Sequence, residues 1–262
     1  MSKKFLLSIL MTVACGAMLM ADNYVLEWPT VKTENKPGTR WWWLGSAVDE
    51  ANLTWNLESL QQAGIGTVEI TPIYGVQGKE SMEIPYLSEK WMSMLGHVQS
   101  EAKRLGMQVD MNGGTGWPFG GPTISPEYAA TKQIVQTYDL NADTRSLDLR
   151  VKDAKQQGLA YLQALVFVSK EGRREQWSVE KVQDGFLPLS RSVEGKLYAL
   201  YVGKTRQKVK RSAPGGEGYV MNHLSKESLM HYLKRFDKAF AEYGTAWPST
   251  FFNDSYEVYG AD

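Results

Sequence analysis

The feature that most constrains the fold is a unit of helix, glycine, short apolar strand and polar loop that occurs three times. In the first unit, leucines at helical spacing follow a cap at Asp49 or Asn52, and Gly64 ends the helix before a strand over 67–71. Helices that alternate with short apolar strands are typical of successive βα units with a parallel sheet. The other helices and strands are predicted over 91–105, 107–111, 229–243 and 250–252.

A carboxylate accompanies each of these strands near the predicted start of its loop. Glu69 and Asp110 belong to the first two units, and Asp254 and Glu257 to the third. In a (β/α)8 barrel the C-terminal ends of the strands form the active-site face. The sequence therefore predicts an α/β fold, a partial (β/α)8 TIM-type barrel, with its active site at these carboxylates.

Residues 129–214 lack a helical period and contain alternating short runs that predict a β-rich insertion in one barrel loop. One alternative stays open, namely that one of these runs belongs to the barrel. The runs lie at 133–138, 147–151, 162–168 and 197–202. The predicted organisation is a signal peptide at 1–21, a lead-in at 22–39, a first barrel part at 40–128, the insertion at 129–214 and a barrel continuation at 215–262.

The number of residues left for the barrel is small. A complete (β/α)8 barrel takes about 250 residues, and about 150 remain here once the signal peptide and the insertion are set aside. That is enough for four or five strands, so we expect the chain to be a truncated, N-terminal portion of a longer protein. Half a barrel leaves an open sheet edge, which predicts a tendency to aggregate.

The first 21 residues have the layout of a secretory signal peptide. Lys3 and Lys4 precede an apolar run over 5–20, and the small residue Ala21 precedes a polar stretch. The run is too short to predict a transmembrane helix. A lipoprotein anchored at Cys15 is less favoured, because apolar residues continue after the cysteine. We therefore expect an exported protein, either periplasmic or at the cell surface or secreted.

Removal of the signal peptide also removes the only cysteine, which excludes disulfides, cysteine nucleophiles and cysteine metal sites. The mature chain keeps 27 basic against 29 acidic residues, which gives no indication of nucleic-acid binding. It contains no Gly-x-Ser-x-Gly elbow, no His-Glu-x-x-His zinc pattern and no phosphate-binding Gly-x-x-x-x-Gly-Lys loop. Carboxylates, aromatic rings and hydrogen-bonding side chains remain, which is the set that glycoside hydrolases use.

A glycine-rich loop after the strand at 107–111 carries Trp117 and Phe119 between glycines and prolines. Rings displayed at a strand end predict a surface that stacks on the apolar face of a sugar. The alternative is that both rings plug the mouth of the barrel. The run of three tryptophans at 41–43 cannot face one side of a strand, so their side chains must alternate.

Four ordered motifs over residues 40–262 resemble the successive signatures of glycoside hydrolase family 106, the bacterial α-L-rhamnosidases of the Bacteroides type. They are Arg40-Trp-Trp-Trp-Leu-Gly45, Ala63-Gly-Ile-Gly-Thr-Val-Glu-Ile-Thr-Pro72, Gly114-Thr-Gly-Trp-Pro-Phe-Gly-Gly-Pro122 and Phe252-Asn-Asp-Ser-Tyr-Glu257. The resemblance implies an interrupted barrel with β-rich accessory domains, an inverting mechanism, a calcium ion at the active site and pectic substrates.

Carried onto this sequence, the resemblance implies that Glu257 is the general acid. The family's general base lies further along the chain than this sequence extends, so we expect the chain alone not to turn over substrate. The calcium ligands are not identified. The predicted partner is an oligosaccharide, with no nucleic acid and no transmembrane segment in the mature chain. The predicted substrate-binding residues are Arg40, Trp42, Glu69, Asp110, Asn112, Trp117, Phe119, His223 and Asp254.

Two other readings stay open. A non-catalytic carbohydrate-binding remnant would use the same rings without needing Glu257 as an acid. A retaining barrel glycosidase would need a second carboxylate about 5–5.5 Å from Glu257, and Asp110 is the candidate. In the inverting case the two carboxyl groups stand about 6.5–9.5 Å apart, so that a water fits between them.

Overall fold

The computed structural model describes residues 28–257, so the predicted signal peptide and Cys15 lie outside the described residues. The chain divides into two units, one ending at Lys32 and one from Thr33 to Asp262. Of the first unit only 28–32 are described, and they contain no helix or strand.

The first two βα units begin and end close to the predicted positions. The Asp49 carboxylate accepts a hydrogen bond from the Asn52 amide and caps the first helix. Gly106 adopts the left-handed conformation that ends the second helix. In chain order the elements are β1 (Gly38–Leu44), α1 (Glu50–Gln62), β2 (Thr67–Ile73), α2 (Glu89–Leu105) and β3 (Gln108–Asn112).

The next eight strands are antiparallel. β5, β10, β7 and β8 form a four-stranded sheet in that order, while β6 pairs with β9 and β4 with β11. All four predicted runs contribute to these pairs, so none of them joins the parallel sheet. The domain boundaries themselves stay a prediction. The strands are β4 (Gly120–Gly121), β5 (Thr131–Leu140), β6 (Ser146–Asp148), β7 (Tyr161–Ser169), β8 (Arg174–Trp177), β9 (Phe186–Pro188), β10 (Gly195–Lys204) and β11 (Tyr219–Val220).

The third unit consists of α3 (Lys226–Tyr243) and β12 (Phe251–Phe252). Ser225 caps the helix and Gly244 ends it in the left-handed conformation, as the sequence predicts. Of the apolar residues at helical spacing in the sequence, Phe236 and Phe240 are buried but three others are not. Leu229, Leu233 and Tyr243 are exposed, and the residues that pack inward are Ser228, Tyr232, Phe236, Ala239 and Phe240.

The parallel sheet has the strand order β1-β2-β3-β12, so its strands follow one another without reversal. A doubly wound sheet reverses its order and carries helices on both faces. Here residues of all three helices share one hydrophobic core with the apolar face of the sheet. The described residues therefore form an open parallel sheet with helices packed on one face, and they do not form a complete (β/α)8 barrel.

A second hydrophobic core lies within the antiparallel sheet. In β10, alternate residues are buried, because successive side chains of a strand point to opposite faces. Among the described residues, no helix is both long and apolar enough to cross a membrane. The parallel sheet, with its loops, is the part that positions the candidate site.

Candidate active site

Three polar side chains lie in register on the face of the parallel sheet opposite the helices. Arg40 of β1 pairs with Glu69 of β2, and Glu69 pairs with Asp110 of β3. Their neighbours along the strands, such as Trp43 and Ile70, belong to the helix-facing core. The alternation of side chains therefore directs the polar set towards one surface.

Glu69 and Asp110 lie within their strands, so their predicted position at the start of a loop is wrong. β2 continues from Glu69 to Ile73, and β3 continues from Asp110 to Asn112. Pro72 suggested an earlier end because proline cannot donate to a sheet. The structure tolerates Pro72 because β2 pairs with β3 only as far as Ile70.

Arg40 is the centre of the polar set. Its Nε donates to Glu69 Oε1 over 3.0 Å, and its Nη1 donates to Asp254 Oδ2 over 3.1 Å. Thr71 Oγ1 also donates to Glu69 Oε1, over 2.9 Å. The guanidinium carbon lies 4.6 Å from the centre of the Phe252 ring. Arg40 thus joins residues of β2 to the strand β12 and its loop.

These contacts span the parallel sheet from one edge strand to the other. Arg40 comes from β1, yet its guanidinium covers Phe252 of β12 and binds Asp254 just beyond it. The Arg40 side chain and the loop after β12 therefore meet over the polar face of the sheet.

Several buried polar atoms near the end of β3 have no hydrogen-bond partner within residues 28–257. They belong to Asp110 (Oδ1), Asn112 (both side-chain atoms) and Thr115 (Oγ1). Asn112 is fully buried. Buried polar groups are nearly always paired with protein, water or a ligand, so this end of β3 is suited to hold polar groups of a bound molecule.

The residues at this end of the sheet offer few ligands for the calcium ion that the resemblance implies. Ca²⁺ takes about six to eight oxygen ligands. Asp110 and Asn112 offer oxygen atoms, but Arg40 already holds the carboxylates of Glu69 and Asp254. The described part of the chain contains no group of three or more His, Cys, Asp or Glu residues that could hold a metal ion. These residues do not fit a complete calcium shell, and calcium stays a prediction of the resemblance.

Glu257, the predicted general acid, lies in the loop after β12. Lys210 Nζ contacts its Oε2 at 2.7 Å, and Ser255 Oγ donates to its Oε1 over 3.3 Å. Gln207 Nε2 donates to the Glu257 backbone oxygen over 3.1 Å. Residues near the end of the predicted insertion therefore contact the candidate acid. Gln207 and Lys210 were not predicted as site residues, since no motif in the neighbouring sequence marks a lysine-rich segment as part of a site.

The aromatic predictions divide into three outcomes. Trp42 is 45% exposed and lies on the same side of β1 as Arg40. Trp117 is half-buried under the guanidinium of Arg211. Phe119 is only 8% exposed and stacks on Tyr232 of α3, so its ring is not displayed to a sugar. For Phe119 the alternative interpretation, a ring that is packed and not displayed, is therefore the correct one.

His223 lines a groove beside β12. Within the described part of the chain, neither ring nitrogen makes a hydrogen bond of ordinary geometry, and the Tyr256 ring meets the imidazole edge-on. Burial lowers the pKa of His223, and a hydrogen bond with the Met221 backbone opposes this in part. The groove has a volume of about 560 Å³, and residues of α3 and of the β12 region, including Leu233 and Phe252, line it.

Comparisons with known proteins agree with this arrangement at the level of family and fold. The family model described as alpha-L-rhamnosidase, glycoside hydrolase family 106, matches residues 30–158. A putative beta-glucuronidase of Formosa agariphila is 33% identical over 129 residues, which are 48% of this chain and 11% of that protein.

A solved structure gives the same indication for the fold. The rhamnosidase from Novosphingobium sp. PP1Y superposes with a TM-score of 0.61 at 12% identity, over 87% of this chain and 39% of its own. At that identity the likeness shows the fold alone. The chain spans well under half the length of either relative. Over residues 30–158, which are just under half of its length, this chain is similar to glycoside hydrolase family 106.

Proposed function

We propose that this chain is part of an exported enzyme that hydrolyses α-L-rhamnosidic bonds in pectic oligosaccharides of the plant cell wall. The match of residues 30–158 to the alpha-L-rhamnosidase family model supports the reaction class. The observation that carries the site assignment is the loop after β12, which brings Asp254 to Arg40 and Glu257 to Lys210. Substrate would bind on the face of the parallel sheet that carries Arg40, Glu69 and Asp110.

In this proposal Glu257 donates a proton to the leaving glycosidic oxygen. An ammonium group beside a carboxylate favours its ionised form, whereas a general acid has to carry a proton. Because Lys210 contacts Glu257 at 2.7 Å, substrate binding has to draw Lys210 away before Glu257 acts. No residue within 28–257 is assigned the role of general base, and no step involves calcium.

The Lys210–Glu257 ion pair favours a second candidate function, carbohydrate binding without hydrolysis. A carboxylate held as an ion pair can accept hydrogen bonds from sugar hydroxyls but cannot protonate a leaving group. The name of the Formosa relative also makes a β-D-glucuronide a substrate to test beside the rhamnoside. Activity measurements separate these possibilities.

The test is hydrolysis of p-nitrophenyl α-L-rhamnoside and p-nitrophenyl β-D-glucuronide. Both the 262-residue chain and the longest protein that contains it are assayed. Glu257→Gln should abolish the rhamnosidase activity, while Glu242→Gln, an exposed carboxylate of α3, should retain it. Inverted configuration of the first product, read by NMR, is expected. Activity that survives Glu257→Gln would overturn the acid assignment, and sugar binding without turnover in either form would favour the second candidate.

Export is proposed on the layout of residues 1–21 alone. Expression in a Gram-negative host followed by fractionation should place the protein outside the cytoplasm. Mass spectrometry of the mature protein should find Asp22 at its N-terminus. A cytoplasmic protein that retains Met1 would contradict the proposal.

A further inference from the structure

A segment rich in basic residues lies beside the candidate site. It runs from Lys204, the last residue of β10, to Arg211, and we call it the basic segment. Val209 is buried, whereas the basic side chains around it are exposed. Lys208 covers the ring of Tyr219. The exposed basic residues are Arg206, Lys208, Lys210 and Arg211.

The loops after β2 and β3 fix the end of this segment. Trp117 and Lys210 exchange two backbone hydrogen bonds, of 3.1 and 2.9 Å, and the Tyr74 amide donates to the Arg211 carbonyl over 2.8 Å. A Cβ atom at Gly116 would lie 2.0 Å from the Lys210 carbonyl oxygen, so only glycine permits this approach. Lys210 and Arg211 therefore have defined positions on the rim of the site.

The Arg211 guanidinium lies against two aromatic rings. Its central carbon is 4.8 Å from the Trp117 ring centre and 5.5 Å from that of Tyr74. Arg40, by contrast, holds two carboxylates, and no carboxylate within residues 28–257 forms an ion pair with Arg211. A guanidinium on an aromatic face keeps its N–H edge available, and that edge matches a carboxylate through two parallel hydrogen bonds.

We propose that Arg211, held by Trp117 and Tyr74, binds the carboxylate of a uronic acid residue in the oligosaccharide. This rests on the proposed function, because it places the uronic acid in the same site. Lys210, the neighbouring residue, contacts the candidate acid Glu257. The carboxylate subsite therefore adjoins the position at which the glycosidic bond would be cleaved.

The choice of a uronic acid follows from the two kinds of group that meet here. Tyr74, which is 39% exposed, provides an aromatic surface beside Arg211 for the apolar face of a sugar ring. A neutral sugar would leave the Arg211 cation without a counter-charge, whereas a uronic acid supplies both the ring and the carboxylate. A sulfated sugar also carries an anion, so the test includes one.

The test is isothermal titration of the purified protein with digalacturonate and with its fully methyl-esterified form. The two ligands share the same sugar rings and differ in charge. We expect the acid to bind about tenfold more tightly than the ester, the size of a charge-assisted hydrogen-bonded pair. Arg211→Ala should abolish this preference, and Lys208→Ala, an equal change of charge in the same segment, should keep it. Higher salt should reduce the preference.

Equal binding of acid and ester, no binding of either, or an unchanged preference in Arg211→Ala would each overturn the proposal. Galactose 6-sulfate that binds more tightly than galacturonate would overturn the choice of a carboxylate. Thermal unfolding of Arg211→Ala should match that of the unsubstituted protein, and Arg211→Lys provides a second variant that retains the charge. Digalacturonate contains no rhamnose, so failure of the rhamnosidase assay leaves this result unaffected.

Discussion

Arg40 connects the residues of the candidate site, because its guanidinium binds one carboxylate from β2 and one from the loop after β12. Its side chain is 30% exposed, and those of Glu69 and Asp254 are 18% and 19% exposed. Charged side chains that are buried to this extent lose part of their hydration, so the stability of each charge depends on its partner. The arginine therefore stabilises the loop that carries Glu257 as well as the strands beneath it.

Replacing Arg40 with glutamine should lower the free energy of unfolding by about 2 kcal/mol, because Glu69 and Asp254 would keep partly buried charges without a cation. Arg104→Gln is the matched control. Arg104 also holds two carboxylates, Glu58 and Glu101, but at the surface, where ion pairs contribute little. Urea denaturation measures both. Equal losses in the two variants would contradict a special role for Arg40.

His223 should make stability depend on pH. Burial lowers its pKa below 6.5 in the folded protein, so below pH 6.5 the unfolded chain binds a proton that the folded chain does not. Stability should therefore fall as the pH falls through this window. His223→Gln should weaken this fall. Urea midpoints above and below pH 6.5 provide the test, and an identical fall in His223→Gln would refute it.

At the scale of elements, the helix ends were predictable because they depend on local signals. Ser225 and Gly244 mark the ends of α3 in the sequence and in the structure. The buried face of α3 was predictable only in part, since Leu229 and Leu233 fit the helical period but lie on a groove. Which apolar stripe becomes buried depends on the neighbouring elements, and the sequence period alone does not specify them.

The loop after β3 also depends on contacts between distant residues. Gly106 and Gly116 have similar positive φ angles of 65° and 63°, but a Cβ would meet nothing within 4 Å at Gly106 and the Lys210 carbonyl oxygen at Gly116. Gly106→Ala should cost about 1 kcal/mol of stability from conformational strain. Gly116→Ala should cost more, because it must also displace the basic segment.

Urea denaturation compares the two alanine variants, and titration with digalacturonate shows whether the carboxylate subsite survives. Gly106→Ala should keep the preference for the acid over the ester, while Gly116→Ala should reduce it. If both variants lost the same stability and kept the same preference, the basic segment would not depend on Gly116.

For the chain as a whole, the sequence predicted the order of the βα units and the β-rich character of the insertion, but not the antiparallel pairing of its strands. It did not predict that the basic segment, at the far end of that insertion, returns to the parallel sheet. Lys210 lies 93 residues after Trp117 along the chain but exchanges backbone hydrogen bonds with it. Such pairings form when a long loop closes, and the periodicity within either segment does not predict them.

The groove beside β12 predicts how the isolated chain behaves in solution. β12 pairs with β3 on one side, and no other described strand pairs with it. Exposed apolar patches and open sheet edges promote association. The exposed residues lining this groove are Leu229, Met230, Leu233, Trp247, Phe251, Phe252 and Tyr256.

We therefore expect the 262-residue chain to self-associate as its concentration rises. Leu233→Lys should reduce that association, because a lysine would place a charge in the groove. Val135→Lys is the matched control, since Val135 is an exposed apolar residue of β5, outside the groove. Sedimentation velocity at several concentrations measures the effect. If Val135→Lys reduced association as much as Leu233→Lys, added charge in general, and not the groove, would explain it. A chain that stays monomeric at every concentration would show that the groove beside β12 does not drive contact between chains.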